Sequence, residues 1–278
     1  MQIPYKVLLI FVLSSAMTLT GGEFSHALGC QAREAASASA GGLLQEVDGL
    51  PLVFATDFES TDAGDLPAEF EFTDAAAWKI ESVEERGNVL SQHKASSYQP
   101  PHRSPHNVGL VKDLWVRDLV LTARVRSTIR DYGHRDACVF FGHRDAAHFY
   151  YVHFGKQTDD HANQVFIVND AARTKISDRT TTGTPWDDSW HHVKIVRNTE
   201  QGDIKVYFDN METPVMEASS KAFVSGRVGL GSFDDTTQWD DVRIYGQVVE
   251  GAVKHRQRTK TPPDTGRRLK RRNDPDGI

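Results

Sequence analysis

The dominant pattern between Leu50 and Gln247 is an alternation of hydrophobic and polar residues with a period of two. Residues 118–128 show it most clearly. One face of that segment carries only apolar side chains: Leu119, Leu121, Ala123 and Val125. Alternation of this kind is typical of β-strands that bury one face. The pattern therefore predicts an all-β chain.

Further short segments of the same kind follow one another along the chain. They cover residues 52–59, 118–128, 137–143, 148–155, 163–170, 190–198, 203–210, 226–233 and 239–246. Gly, Asp, Asn and Pro fill the gaps between them, as expected for turns. Many short strands at this spacing favour a sandwich or jelly roll. Residues 73–86 are the nearest approach to a helical pattern and predict at most one short helix.

The ends of the chain differ from its middle. Lys6 is followed by an apolar run from Val7 to Thr20, which is typical of a secretory signal peptide and short for a membrane span. We predict a signal peptide over residues 1–27, a flexible linker over 28–50, a β-sandwich over 51–247 and a disordered basic tail over 248–278. The predicted location is secreted or periplasmic. A weak lipobox ending at Cys30 leaves a lipoprotein as the alternative.

Charge is distributed unevenly along the 278 residues, whose net charge is −6. Residues 251–278 carry nine Lys or Arg and three Asp or Glu, a net of +6, so the rest of the chain is acidic. An acidic domain is poorly suited to nucleic acid as its main partner. The basic tail is a candidate for contact with an anionic envelope. The two cysteines, Cys30 and Cys138, are too few for a disulfide scaffold or a zinc–cysteine site.

The segment from residue 130 to 164 contains five histidines among aromatic residues. If its two strands pair around a turn near residue 145, Val139 faces Val152 and Phe141 faces Tyr150, which makes an apolar core side. The opposite side is polar and aromatic. Including the next strand, that side carries His134, Asp136, Tyr151, His153 and Gln164.

This polar-aromatic side is the candidate ligand site. Arg124 and Arg126 would point to the same side if the strand at 118–128 joined this sheet, and His106 and His161 would lie at its rim. Aromatic rings stack on the apolar faces of sugars, while Arg, His, Asp and Gln bind hydroxyl or carboxylate groups. His134, His153 and Asp136 could alternatively meet at one metal ion. Of the tryptophans, Trp190 and Trp239 begin strands and are predicted to be core, and Trp186 to be exposed.

The C-terminal half resembles a known fold family. The stretches "SWHHVKIVRNTEQGDIKVYFDNMETPVMEA" and "FVSGRVGLGSFDDTTQWDDVRIYG" resemble the closing strands of concanavalin A-like jelly rolls, in particular laminin-G-like and 3-keto-disaccharide-hydrolase-type domains. The resemblance implies a sandwich of two antiparallel sheets and a glycan bound on the concave sheet. It also implies one structural Ca²⁺ between the first and last strands, where Asp57 and Asp240 are the candidate ligands.

Three functions are compatible with this sequence. The leading one is an exported domain that binds a polysaccharide or oligosaccharide. The second is a carbohydrate-active enzyme using the same side; a polysaccharide lyase would use Arg126, His134, Tyr151, His153 and Gln164 for catalysis. The paired carboxylates of a retaining glycosidase are missing. The third is a structural or adhesion module of the envelope. The sugar and the oligomeric state stay open.

Overall fold

The computed structural model describes residues 43–250, so the predicted signal peptide and nearly all of the predicted basic tail lie outside the described residues. Leu43 and Leu44 belong to a separate N-terminal unit, and the strands belong to the unit that begins at Gln45. The strands are β1 (Glu46–Val47), β2 (Leu50–Thr56), β3 (Phe70–Phe72), β4 (Trp78–Val83), β5 (Gly87–Gln92), β6 (Asn107–Val111), β7 (Val116–Ser127), β8 (Cys138–Asp145), β9 (His148–His153), β10 (Gln164–Asn169), β11 (Thr174–Lys175), β12 (Ser177–Thr180), β13 (His191–Arg197), β14 (Asp203–Phe208), β15 (Met216–Ser219), β16 (Arg227–Ser232) and β17 (Thr237–Val248).

These strands form two antiparallel sheets. In the ten-stranded sheet the order is β1-β2-β17-β7-β13-β14-β15-β12, and β5 pairs with both β17 and β4. In the seven-stranded sheet the order is β11-β10-β9-β8-β16-β6-β3. The fold class is thus the predicted all-β sandwich of two antiparallel sheets with a jelly-roll type of connectivity. Among the described residues, no helix is both long and apolar enough to cross a membrane.

The core lies between the two sheets and follows the predicted alternation. In β7, Leu121 pairs with Ile195 of β13 and Ala123 pairs with Val193. These side chains are almost fully buried, and they belong to one cluster that includes Val139, Tyr150 and Trp239 from other strands. Contact among apolar side chains of both sheets supplies the main stabilisation of such a sandwich.

The predicted pairing of the histidine-rich hairpin is confirmed. Val139 of β8 pairs with Val152 of β9, and Phe141 pairs with Tyr150. Beyond Phe141 the register shifts, because Gly142 adopts a positive φ of 56° and a bulge forms before Asp145. The pairing of the third strand is also confirmed: β10 places Gln164 beside His153 and Phe166 beside Tyr151.

Residues 73–86, where at most one short helix was predicted, contain one 3₁₀ turn, Ala75–Ala77, whose N-cap is Asp74. The remainder forms strand β4, which pairs with β5. Its Trp78 and Ile80 are buried while Lys79 between them is half-buried, so the local period is two. After the alanines, pairing with a neighbouring strand and burial of alternate side chains in the core favour a strand.

Two of the tryptophan predictions are wrong. Trp186 is buried, with its indole N–H donating to the carbonyl of Phe154 at 2.7 Å. Trp190 lies outside the core, where the guanidinium groups of Arg86 and Arg126 lie 5.4 and 5.0 Å from its ring. Trp239 is fully buried, as predicted. The position of a tryptophan at the start of a strand therefore does not determine whether its ring packs into the core or outside it.

Tyr150 offers a test of the packing between β9 and the segment that precedes β16. Its buried hydroxyl lies 2.7 Å from Ser220 Oγ and accepts from the backbone N–H of Phe223 at 3.0 Å. Tyr150→Phe leaves that N–H without an acceptor, so we expect the free energy of unfolding in urea to fall by about 1–3 kcal/mol. Tyr207→Phe is the matched control, because the Tyr207 hydroxyl has no hydrogen-bond partner among the described residues. Equal effects of the two changes would contradict this role of the Tyr150 hydroxyl.

Candidate functional site

The outer face of the seven-stranded sheet, on the side away from the core, carries a second apolar cluster. Alternation along β6, β8, β9 and β10 turns one set of side chains outward. The set consists of Val108, Leu110, Cys138, Phe140, Phe149, Tyr151, Phe166 and Val168. None of them is more than 5% exposed. A sheet face as apolar as this is stable only when other parts of the chain cover it.

Three loops cover this outer face: residues 93–106, 170–173 and 233–236. The first and second loops are joined by the backbone N–H of Arg173, which donates to the carbonyl of Arg103 at 3.0 Å. The first and third are joined by the N–H of His106, which donates to the carbonyl of Phe233 at 3.0 Å. We call these three segments the cover loops.

Arg173 fixes the cover loops to the sheet. Its guanidinium carbon lies 4.7 Å from the ring centroid of Phe166 on the sheet and 4.4 Å from that of Phe233 on the third loop. Its Nη1 donates to the hydroxyl of Tyr151 at 2.9 Å. A guanidinium held between two rings with a hydrogen bond at its end combines cation–π attraction with directional bonding.

The cover loops leave two cavities above the sheet. One, of about 220 Å³, lies beside the proline-rich part of the first loop, and Tyr98, Pro105 and Phe149 are among its lining residues. The other, of about 250 Å³, we call the Arg–His cavity. It is lined by Arg103, Tyr132, His134, His153, His161, Arg173, Phe233 and Asp234.

The structure brings most of the predicted site residues to the Arg–His cavity. His134, His153 and His161 line it. Next to these, Asp136, Tyr151 and Gln164 are buried in the sheet or directly before it. His106 lies beside the cavity, with its ring centroid 5.5 Å from that of Phe233.

The predicted position of Arg124 and Arg126 is wrong. Their strand, β7, lies between β13 and β17 in the ten-stranded sheet, so both side chains are on the opposite side of the sandwich from His153. Arg126 donates from Nε and Nη2 to Gln238 Oε1 at 3.0 and 2.7 Å. Alternation shows which side chains share a face of one strand, but it does not show which of two sheets the strand joins.

Two of the residues predicted for catalysis, Tyr151 and His153, are deeply buried. Burial, with a smaller effect from the Arg173 charge, lowers the pKa of His153 to about 3, so its imidazole is neutral at pH 7. Burial likewise raises the pKa of Tyr151 well above its usual value, and this hydroxyl accepts a hydrogen bond from Arg173. Neither group is well placed or well matched in pKa for proton transfer to a ligand near neutral pH.

His134 and His161 belong to the exposed side of the cavity. His134 Nε2 lies 2.6 Å from Asp159 Oδ2, and the other oxygen of Asp159 accepts from the N–H groups of His161 and Ala162. Asp159 thus holds the turn that carries His161 over the cavity. The carboxylate that contacts His134 is that of Asp159, whereas His153 contacts that of Asp136. This arrangement does not support the alternative of a metal site at His134, His153 and Asp136.

Three carboxyl groups meet at the wall of the Arg–His cavity. Asp136, Asp234 and Asp235 each place one oxygen within 4.8 Å of the others. Asp235 accepts from the Tyr132 hydroxyl at 2.6 Å and from the backbone N–H of Asp136 at 2.8 Å. Burial and the neighbouring carboxylates raise the pKa of Asp136 well above its usual range, and burial raises that of Asp235. We call these three residues the carboxylate cluster.

The calcium ligands implied by the family resemblance lie elsewhere. Asp57 and Asp240 line a common cavity of about 350 Å³ with other acidic side chains. Arg86 lines the same cavity, and its Nη2 lies 2.6 Å from Asp240 Oδ2 and 2.6 Å from Asp241 Oδ2. A guanidinium already supplies the positive charge there, so this arrangement does not fit a calcium ion bound between Asp57 and Asp240.

Sequence reasoning missed Tyr132 and most of the residues that the cover loops contribute to the Arg–His cavity and its wall. Tyr132, Arg173, Phe233, Asp234 and Asp235 lie in loops or next to strand ends, where no hydrophobic period fixes their direction. The available signal was compositional only: an aromatic residue followed by two aspartates directly after a strand. Contact between loops far apart in sequence has no local signature.

Comparison with known proteins gives similarities of overall fold. No protein-family model and no curated protein sequence matches the chain. The carbohydrate binding module CBM66 from Bacillus subtilis has 17% identity and a TM-score of 0.46, covering 64% of this chain and 96% of that one. Lectin I-B4 from Griffonia simplicifolia, in its metal-free form, has 12% identity and a TM-score of 0.43, covering 66% and 95%. A galectin-like protein of unknown function from Bacillus subtilis has 10% identity and a TM-score of 0.45, covering 71% and 96%.

At these identities and TM-scores the likeness concerns the overall fold alone. The two-sheet architecture of this chain stands on its own strand pairings.

The burial of Cys138 tests whether the outer face is covered in solution. Its thiol is fully buried beneath the cover loops and donates to Asp136 Oδ2 at 3.4 Å. In the full chain carrying Cys30→Ser, we expect iodoacetamide to label Cys138 at least about a hundredfold more slowly than in the same protein unfolded in urea, because labelling requires local opening. Rapid labelling of the native protein, followed by mass spectrometry, would contradict a closed cover.

Proposed function

We propose that this chain binds a glycan in the Arg–His cavity. The observation that carries the proposal is the combination of side chains around this cavity: two aromatic rings, three imidazoles, two guanidinium groups and one carboxylate. Aromatic rings pack against the apolar faces of sugar rings, and the polar groups bind sugar hydroxyls. The site is therefore chemically suited to a small, hydroxyl-rich ligand.

The charges of the cavity favour a sugar that carries a carboxylate. Arg103 and Arg173 supply two permanent positive charges against the one lining carboxylate of Asp234, and Arg103 is exposed at the cavity rim. Guanidinium groups bind carboxylates with two parallel hydrogen bonds when both partners can approach in plane. A polysaccharide containing uronic acids is the ligand class that fits these residues best.

Binding fits the cavity better than cleavage does. The lyase alternative needs a histidine or tyrosine of the predicted set to transfer a proton to or from the sugar. His134 is paired with Asp159, its Nε2 lying 2.6 Å from Asp159 Oδ2. Tyr151 is fully buried with its hydroxyl bonded to Arg173, and His153 is only 4% exposed. With Arg126 on the other sheet as well, the set of residues predicted for catalysis is not assembled around one ligand.

The proposed setting is outside the cytoplasm, in the secreted or periplasmic fraction. Its support is the apolar run from Val7 to Thr20 behind Lys6, together with an all-β fold. Extracellular polysaccharide would be accessible to such a chain. Contact of the basic tail with an anionic envelope belongs to the same proposal and has the charge of residues 251–278 as its support.

Glycan binding is tested by electrophoresis of the full chain in gels that contain single polysaccharides. We expect retardation in gels with uronate polymers such as alginate or pectate, and less in gels with neutral glucans. Absorbance near 235 nm of the same mixtures should stay constant, because a lyase would generate an unsaturated uronate. Absence of retardation across the whole panel would overturn the proposal and leave a structural module.

The location of the site is tested with paired variants. Arg103→Ala and His161→Ala remove exposed side chains from the rim of the cavity, so folding should be unaffected. Each is expected to weaken binding by about tenfold, the loss of one charge-assisted or strong hydrogen bond. Arg124→Ala, on the other sheet, is the control and should bind like the unchanged protein. Loss of binding by Arg124→Ala alone would place the ligand on the opposite side of the sandwich.

A further inference from the structure

The carboxylate cluster has a geometry that one metal ion could match. The three oxygens contributed by Asp136, Asp234 and Asp235 all lie within 4.8 Å of one another. Calcium binds oxygen at about 2.3–2.6 Å, so two ligands on opposite sides of one ion are about 5 Å apart. Three oxygens at these separations can therefore contact a single calcium ion with little movement.

A buried oxygen in this cluster lacks a partner. Asp136 is 1% exposed, and its Oδ1 receives no hydrogen bond among the described residues, whereas Oδ2 accepts from the N–H of Phe233 at 2.9 Å. A buried carboxylate oxygen without a donor costs free energy unless a cation or a proton is present.

His153 adds an observation from outside the cluster. Its side chain is 5% exposed and is aimed at the cluster, with Nε2 lying 3.3 Å from Asp136 Oδ2. Its other ring nitrogen, Nδ1, has no partner in the described part of the chain. Carboxylates that bind a metal are themselves held by neighbouring polar groups, and His153 is placed for that role at Asp136.

Within residues 43–250, no Lys or Arg nitrogen lies within 4.0 Å of a carboxylate oxygen of Asp136, Asp234 or Asp235. Other acidic residues in and near the histidine-rich segment do form ion pairs. Arg173 is the nearby arginine, and it is directed at Tyr151 and two phenylalanine rings instead.

We propose that Asp136, Asp234 and Asp235 bind one calcium ion at the wall of the Arg–His cavity. All three ligands are hard oxygen donors, which suit calcium better than zinc. Asp136 and Asp235 are buried and Asp234 is exposed, so the ion would be held from the protein side and completed by water or ligand oxygens from the cavity. This site is separate from the Asp57 and Asp240 pair, and it does not depend on whether the chain binds a glycan.

The experiment measures calcium alone, with no glycan present. The full chain is stripped with EDTA and then titrated with CaCl₂ by calorimetry and by thermal unfolding. At a calcium concentration about a hundred times the dissociation constant, we expect the unfolding midpoint to rise by about 5–10 °C. No heat of binding and no shift of the midpoint would overturn the proposal.

Two exposed aspartates provide a matched pair of variants. Asp234→Asn should weaken calcium binding by at least about tenfold, because it removes one charged ligand. Asp57→Asn changes an exposed aspartate in the other acidic cavity and should leave calcium binding unchanged. The reverse result, in which only Asp57→Asn removes binding, would place the ion in that other cavity and overturn the assignment.

Asp136→Asn gives a second readout that folding defects do not imitate. Without calcium, the change removes a buried charge next to two other carboxyl groups, while the amide oxygen can still accept from the N–H of Phe233, so the unfolding midpoint should stay the same or rise. The increase that calcium produces in the unchanged protein should disappear in this variant. An undiminished calcium response in Asp136→Asn would contradict its role as a ligand.

Discussion

An apolar face on the outside of a sheet has to be covered, and this requirement determines the arrangement of the site. Phe140, Tyr151 and Phe166 are on the opposite side of the seven-stranded sheet from the core, yet they are almost completely buried. The free energy of removing such rings from water is large, since each contributes roughly 1.5–3 kcal/mol. The cover loops lie where they do because they provide this burial, and the cavities are the spaces that they leave.

Electrostatics in the covered region follows from the same burial. Once the loops exclude water, each charged group needs a partner of its own or shifts toward its neutral form. Arg173 satisfies this condition with two rings and a hydroxyl, while His153 satisfies it by remaining neutral. Asp136 has a donor for Oδ2 but none for Oδ1 among the described residues, so the charge of the carboxylate cluster is only partly balanced.

Much of the fold could be predicted from the sequence because it depends on a local period. The pairing of Val139 with Val152 and of Gln164 with His153 follows from alternation and from the position of the turns. The sheet to which Arg124 belongs could not be predicted in this way, since both sheets present an outer face. The same limit applies to Trp186 and Trp190, whose neighbours come from distant segments.

For the candidate site, the sheet residues were predicted and the loop residues were not. Tyr151 and His153 could be assigned to one face by counting positions, whereas Arg173 reaches that face only through a loop whose path depends on tertiary contacts. Burial was the other unforeseen property. Alternation placed these side chains outside the core, but it does not reveal whether an outer face is open to solvent.

The hydrogen bonds among the cover loops also have a consequence for folding. Residue Arg103 in the first loop bonds with Arg173, and His106 bonds with Phe233 near the end of the domain, so the cover joins segments that are far apart along the chain. Contacts between distant segments carry a high cost in loop-closure entropy and tend to form after local hairpins. The cover loops extend from β6, β10 and β16, which belong to one sheet, so the cover can close only once these strands lie in that sheet. Binding of a ligand in either cavity therefore reports that all of these strands are in place. A chain in which only the hairpins had formed would expose the aromatic face to the ligand instead.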